Sequence, residues 1–332
     1  MRIVASCGRP DLAMAYVAEF EPGKLVEFVE AVQPPLPREE KWVVLVSTLF
    51  GCPVGCLMCD AGNRYRGKLS AAEVLAQVDF LVRKHFPGGD VPVKKFKIQF
   101  ARVGEPALNA AVLDVLEELP RRYRAPGLLP ALSSVAPAGA DRFWEGLLAV
   151  KRGHYRDGNF QLQFSIHTTD EELRDRLVPI KKWSLADVAA YGEEFYEPGD
   201  RKVTLNFALA EGSPLEPAVL VRIFDPGKFL VKITPLNPTY RAQRHGLRSY
   251  LSSSPSEGEA AVVRGLRAKG FDVIVSIGEA EENHIGSNCG QFLSAHLDAR
   301  EGIAGGYTYP VNPLTVDDRA GDGTVEIARE PG

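Results

Sequence analysis

The chain has 332 residues, with 39 Lys and Arg against 43 Asp and Glu, a net charge of −4, and 45% hydrophobic and 25% charged residues. This excludes collagen, coiled coil and wholesale disorder, and suits one large α/β domain or two small ones. No apolar run approaches the roughly 20 residues of a membrane span, and MRIVASCGRPD lacks the apolar core of a secretory signal, so the expectation is a cytoplasmic protein with no membrane partner. The slightly acidic balance gives no global electrostatic footprint for nucleic acid.

Before residue 40, AMAYVAEF and KLVEFVEAV predict a small antiparallel β-hairpin extension, closed by the Pro-rich QPPLPREE. A β-branched run, Val43 to Ser47, then ends at a cysteine loop. A helix follows from Ser70 to His85: Ser70 and Glu73 make a capping box, and Leu75, Val78 and Val82 share a face. Strands are predicted near Phe96–Phe100, Leu132, Phe160–Ile166, Val203–Leu209, Phe229–Thr234 and Phe271–Ile277. Helical patterns over Ala107–Glu118, Asp141–Val150, Leu185–Phe195, Leu215–Phe224 and Glu257–Lys269 separate them. This alternation implies parallel βαβ units, and the length suits a partial (β/α)6 TIM-like barrel over residues 41–300, with a doubly wound sheet as the alternative. Residues 1–40 form the extension and 301–332 a Gly-rich polar tail.

Five cysteines are unevenly placed. Cys52, Cys56 and Cys59 fall in FGCPVGCLMCDAG, while Cys7 and Cys289 stand alone. An odd count without a signal segment argues against a disulfide framework and for metal or redox chemistry. Three thiolates spaced C-x3-C-x2-C on a short loop suit three irons of a [4Fe-4S] cube, leaving the fourth iron open to a bidentate ligand. A zinc site, or simple burial of the thiols, is the alternative, but no second C-x-x-C or H-x-x-x-H completes a closed zinc site.

The cysteine loop after the first barrel strand resembles that of the radical S-adenosylmethionine (SAM) superfamily, although Met58 stands where an aromatic residue is common. The order of EAVQPP, GEPALN, ALSSVAP, FSIHTTDEELRDRLVPI, VTLNFALAEG, ITPLNP and NCGQF resembles one branch, the ribosomal RNA adenosine C-methyltransferases, over residues 25–295. The resemblance implies a [4Fe-4S] cluster on Cys52, Cys56 and Cys59, with SAM chelating the open iron and yielding a 5′-deoxyadenosyl radical on reduction. It also implies SAM contacts at Gly104, Glu105, Ser133, Ser165, Ile166, His167 and Asn237, methylation of Cys289, and a proton-accepting role for Glu30. Read by themselves, Ser165, Ile166 and His167 could simply end a strand, Asn237 open a turn, Cys289 fill an apolar gap, and Glu30 lie on a solvated strand face.

The pattern breaks in places. The family's second cysteine, seven residues before the first cluster cysteine, falls on Leu45. Cys7 supplies that thiol, or release differs, or the methyl-cysteine route is not used. Only about 24 residues precede the matched region, where the family carries a helical domain, and Glu279, Glu281 and Glu282 precede the CGQ segment where the family is basic. Carboxylates there would repel a phosphate backbone. Basic groups occur at Lys94, Lys95 and Lys97, at Arg121, Arg122 and Arg124, and at Arg241, Arg244 and Arg248. The expected activity is radical-SAM methyl transfer through Cys289 to a carbon of a small-molecule or peptide substrate, with flavodoxin or ferredoxin as electron donor. The alternatives are RNA adenosine methylation, radical hydrogen abstraction without methyl transfer, and a non-enzymatic metal-binding module.

Overall fold

The computed structural model describes residues 1–62, 64–251, 257–299 and 301–313, so most of the polar tail lies outside the described residues. The strands are β1 (Arg2–Arg9), β2 (Ala13–Glu21), β3 (Lys24–Ala31), β4 (Trp42–Val46), β5 (Leu49–Phe50), β6 (Gly67–Lys68), β7 (Phe96–Phe100), β8 (Leu128–Ser134), β9 (Gln161–Ser165), β10 (Val203–Leu209), β11 (Phe229–Pro235), β12 (Asp272–Val275) and β13 (Asn312–Pro313). The helices are α1 (Ala71–His85), α2 (Ala111–Arg122), α3 (Asp141–His154), α4 (Glu171–Leu177), α5 (Leu185–Phe195), α6 (Pro217–Ile223), α7 (Tyr240–Arg244), α8 (Glu257–Ala268), α9 (Ala280–Ile285) and α10 (Leu293–Asp298).

Seven parallel strands, β4 and β7 to β12, lie side by side in chain order. Right-handed crossovers that never reverse direction put every connecting helix on one face, whereas a doubly wound sheet reverses and covers both. The architecture is therefore a partial (β/α) barrel. The short, largely exposed β12 corresponds to the strand expected near Phe271–Ile277 and makes seven strands where a (β/α)6 barrel has six. Strand alternation separates the two faces. Trp42, Val44, Ile98, Phe100, Leu162, Phe164, Leu205, Phe207 and Val231 point outward into one apolar core with the helices. The opposite residues line the concave side.

Local chemistry sets the helix boundaries. Ser70 and Glu73 form the expected capping box on α1, and Ser184 and Asp187 form another on α5. The helix expected from Ala107 starts four residues later. Asn109 donates to the Thr48 and Leu69 carbonyls and accepts from the Ala111 N–H, which pins a 3-10 turn at Pro106–Leu108 ahead of α2.

The N-terminal segment differs from the expected hairpin. It is a three-stranded antiparallel meander, and β3 pairs with β4 at Val29↔Leu45 and Ala31↔Val43, so it continues the barrel sheet rather than lying against it. β13 then pairs with β1 at the far edge. The missed strand, RIVASCGR, alternates poorly because the C-terminal segment covers it: Ala5 and Cys7 are buried with Ile285, Leu293 and Tyr307. On the other face Phe28 stacks on Tyr16 at 5.2 Å and meets Phe80 of α1 edge-on at 5.7 Å. Truncating Phe28 to Ala is expected to cost about 3–5 kcal/mol in urea unfolding, as for a core aromatic. A cost under 1 kcal/mol would mean that the meander is not part of the core.

Candidate active site

The cysteine loop leaves the C-terminal end of β4, and the two-residue ribbon β5–β6 brackets it. Gly51 takes φ +73°, and a Cβ there would lie 2.1 Å from the Arg64 carbonyl oxygen, so only glycine makes this turn. The Cys52 N–H donates to the Ala61 carbonyl at 3.0 Å and the Cys59 N–H to the Cys56 carbonyl at 3.2 Å. Val54, Met58, Val135, Leu177 and Leu236 pack beside Cys52 and Cys56, while Ala61, Val103, Phe292 and Ala295 pack beside Cys52 and Cys59. Met58 thus provides apolar cover where an aromatic is common. Burial pushes the Cys52 thiol up to about 11, and burial together with the neighbouring cysteines raises Cys56 and Cys59 as well. Among the described residues no three His, Cys, Asp or Glu side chains converge on a single ion. Three coupled thiols on one loop, walled by apolar side chains, fit a cube in which each sulfur takes its own iron.

The turn after β7 carries Gly104 at φ +105°, where a Cβ would lie 2.6 Å from Leu49, so the backbone passes close to the cysteine loop. The Glu105 carboxylate accepts from the Ala107 N–H (3.0 Å), the Ser134 hydroxyl (2.6 Å) and the Val135 N–H (2.9 Å). Burial pushes it up to about 7 against those three bonds. Its side chain therefore ties the β7 turn to the end of β8. Ser133 accepts from Gln163 at 3.1 Å and, with Ser165, stands partly exposed at its strand end. The Ile166 N–H donates to the Asn206 carbonyl. His167 is buried at φ +71° and takes the Ala208 N–H on Nδ1 at 3.3 Å. Burial and the Arg174 guanidinium lower it to about 4, so it is neutral.

Cys289 is brought to this end of the barrel and held there. Its carbonyl accepts from Asn237 at 2.9 Å, and the Gly290 carbonyl accepts the Asp60 N–H at 2.9 Å. Asp60, between the cysteine loop and α7, also caps that helix through the N–H groups of Tyr240 and Arg241, and Arg241 returns to the Cys56 and Gly55 carbonyls. Arg102 reaches the Gly286, Ser287 and Asn288 carbonyls, stacks over Phe292 at 4.7 Å and pairs with Glu27 at 3.0 Å. Glu27 in turn accepts the N–H groups of Leu293 and Ser294 at the start of α10. Cys289 is exposed. The protein crowding around it raises its pKa, while Arg102 and Lys232 pull it down.

One expected placement fails, and one of the three alternatives for the missing thiol loses support. Glu30 is not at the site: it lies three residues from Glu27, on the opposite face of β3, at the level of Val44 and Trp42. There it receives Tyr16, Trp42, Lys84 and His85, the last two from the final turn of α1. It is a buried structural anion in a cage of donors. Burial would raise its pKa, but the His85 and Lys84 contacts override this and hold it at about 2. Nor is Cys7 free to act as a second thiol. It is buried among apolar residues with Sγ on the Ile285 carbonyl, and burial raises it to about 11, which withholds the thiolate. Glu27 and Arg102 were missed. Both are isolated charges inside apolar strings, and only strand parity, which sets Glu27 opposite Glu30, marks one of them.

No family model matches the chain. It is 31% identical to the probable dual-specificity RNA methyltransferase RlmN of Parafrankia sp., over 77% of this chain and 66% of that protein. The RlmN of Frankia alni is likewise 31% identical, over 77% of this chain and 59% of its own length. A solved radical SAM methyltransferase from Sphaerobacter thermophilus superposes with a TM-score of 0.65 at 21% identity, covering 88% of this chain and 81% of that one. The chain is thus related to RNA methyltransferases and shares its fold with a radical SAM methyltransferase, a superfamily whose cofactors are a [4Fe-4S] cluster and SAM. It spans 59–66% of the length of those first two relatives.

Two outcomes test this geometry. Replacing Arg102 by Met leaves Glu27 buried without its cation and is expected to cost about 3–5 kcal/mol in urea unfolding. A variant as stable as the parent would show that the pair does not hold the loop. The Glu30 cage stabilises the fold fully above the carboxylate's unfolded pKa near 4.5, and this contribution is lost as pH falls toward 2. A Glu30→Gln variant should flatten the acid side of the stability curve, and an unchanged slope would refute the cage.

Proposed function

We propose that the protein is a radical-SAM methyltransferase that carries a methyl group on Cys289 to a carbon of its substrate. The clamp between the two loops carries this reading: Asp60 on Gly290 and Asn237 on Cys289 fix a solvent-reachable thiol beside the cysteine loop. In this reading Cys52, Cys56 and Cys59 hold the cluster, and the Gly104 turn, Ser133, Ser165 and Ile166 form the ledge on which SAM lies. Asn237 and Glu105 act one step removed, Asn237 by aiming Cys289 and Glu105 by fixing the turn. The bound cluster and SAM supply one-electron cleavage of SAM, with flavodoxin or ferredoxin as the class of electron donor.

The chain's own residues do the rest. Cys289 accepts a methyl group as its sulfur forms an S–C bond and the sulfonium C–S bond of a SAM molecule breaks, with the thiol proton passing to solvent at the mouth. The apolar walls around the cysteine loop keep water from a reactive radical. With Leu45 in place of the second cysteine and Cys7 buried, product leaves by a route that uses neither position. The preferred acceptor is a small molecule or peptide. RNA is the second reading, favoured by the names of the relatives. The acids before Cys289 bear on RNA less than their number implies, since Glu281 pairs with Arg9 at 3.0 Å.

Peptide mass spectrometry after anaerobic reconstitution and incubation with SAM and reductant tests the proposal. One added methyl on Cys289 is expected, together with a Cys289→Ala protein that forms 5′-deoxyadenosine but transfers no methyl group. If 5′-deoxyadenosine accumulates while Cys289 stays unmodified, the chemistry is hydrogen abstraction alone. Binding to RNA that weakens steeply with salt would select the second reading.

A further inference from the structure

The concave face of the barrel is polar and positively charged. Phe96, Ile98 and Phe100 of β7 pack against the helices, which turns Lys97 and Gln99 inward. By the same alternation Gln163 and Ser165 of β9, Thr204 and Asn206 of β10, and Lys232 and Thr234 of β11 lie on the concave side. Among the described residues neither Lys97 nor Lys232 takes part in an ion pair or a hydrogen bond.

Among the described residues no carboxylate forms an ion pair with either lysine. The inward positions of β4 and of β7 to β11 carry none. Asp272 on β12 is exposed and paired to Lys202, and Glu27 is taken by Arg102. The charges bearing on Lys97 are Lys232, Lys95, Lys41 and Arg201, all cations; burial and this repulsion push it down to about 7. A second observation points the same way. Asn206, in register with Lys232 and 8% exposed, has its Oδ1 buried with no partner. Half-buried cations without a counter-ion, beside a buried acceptor without a donor, describe a receptor lacking its ligand.

Depth limits what the ligand is. Lys97 stands three residues, about 10 Å, below the end of β7, whereas Cys289 sits over the loops at the mouth. Lys232 links the two levels, being coupled electrostatically both to Lys97 and to Cys289. A compact molecule spans that depth, while an internal phosphate of a polymer would have to bring both neighbouring nucleotides with it. We infer that the methyl acceptor is a small anionic molecule. Its carboxylate or phosphate group rests on Lys97 and Lys232, an N–H or O–H of it donates to Asn206 Oδ1, and its reacting carbon faces Cys289. This rests on the methyl-carrier reading above.

Equilibrium dialysis of the reconstituted protein against radiolabelled inorganic phosphate, with acetate run in parallel, tests the inference at low ionic strength. Saturable one-to-one binding is expected, weakened about tenfold or more in Lys97→Met and in Lys232→Met. The anion that binds more tightly indicates which acid group the acceptor bears. Because Lys97→Met removes a repelled buried charge, it should melt above the parent in anion-free buffer, which also shows that it folds. Phosphate should raise the melting temperature of the parent but not of this variant. Non-saturable binding, variants that bind as the parent does, or displacement of phosphate by an RNA oligonucleotide would overturn the inference. Cys289 methylation is measured on the same preparations. A methylated Cys289 with no anion site sinks this inference alone, whereas an anion site with unmodified Cys289 sinks the carrier reading and leaves the site standing.

Discussion

The buried pair between Arg102 and Glu27 is the contact on which the geometry of the site depends. Both side chains are 2% exposed, so each would be costly alone, and each extends past the other to the same segment. Arg102 gathers three carbonyls before Cys289, and Glu27 gathers two N–H groups after it. The segment between has its polar backbone satisfied from one side by a cation and from the other by an anion, which makes a loop as well fixed as a regular element. Arg102 also lies two residues before Gly104, so the strand end that brings the backbone to the cysteine loop also anchors the thiol opposite it.

Much of the barrel was legible because its signals are local. Alternating β-branched strands, the Ser70–Glu73 box and the helical faces of α1, α5 and α8 depend on neighbours in sequence. The three cysteines were legible for the same reason. Long-range pairing was not. No periodicity says that β3 hydrogen-bonds to β4, and β1 is hidden because residues nearly 300 positions away bury its middle, Ala5 and Cys7. Glu30 shows the limit of motif register: a carboxylate at the expected position in sequence lies on the face of β3 turned toward α1 and Trp42. Lys97, which reads in sequence as one of a solvated basic run, faces inward because strand parity and not local charge decides its side.

The carboxylate of Glu105 makes a related point. A Gly-Glu-Pro turn after a strand suggests an acid offered to a ligand, yet its oxygens are occupied by Ser134, Val135 and Ala107. What the turn offers is backbone, made accessible by Gly104 and kept in place by the glutamate. Function at this end of the barrel is thus distributed between residues that could touch a ligand and residues that fix those that do.

The continuous sheet from β12 through the meander to β13 has a consequence for how such a protein can change. The cysteine loop is rooted in β4 and its own ribbon, whereas the segment bearing Cys289 rests on the meander through Ile285, Leu293 and Tyr307, packed on Ala13, Ala15 and Val17. The two halves of the site are therefore mounted on separate walls of one sheet. Substitutions in the first 30 residues can tilt or shift the thiol by small steps while the cysteines keep their spacing. A lineage could re-aim Cys289 without disturbing the geometry of the three clustered cysteines.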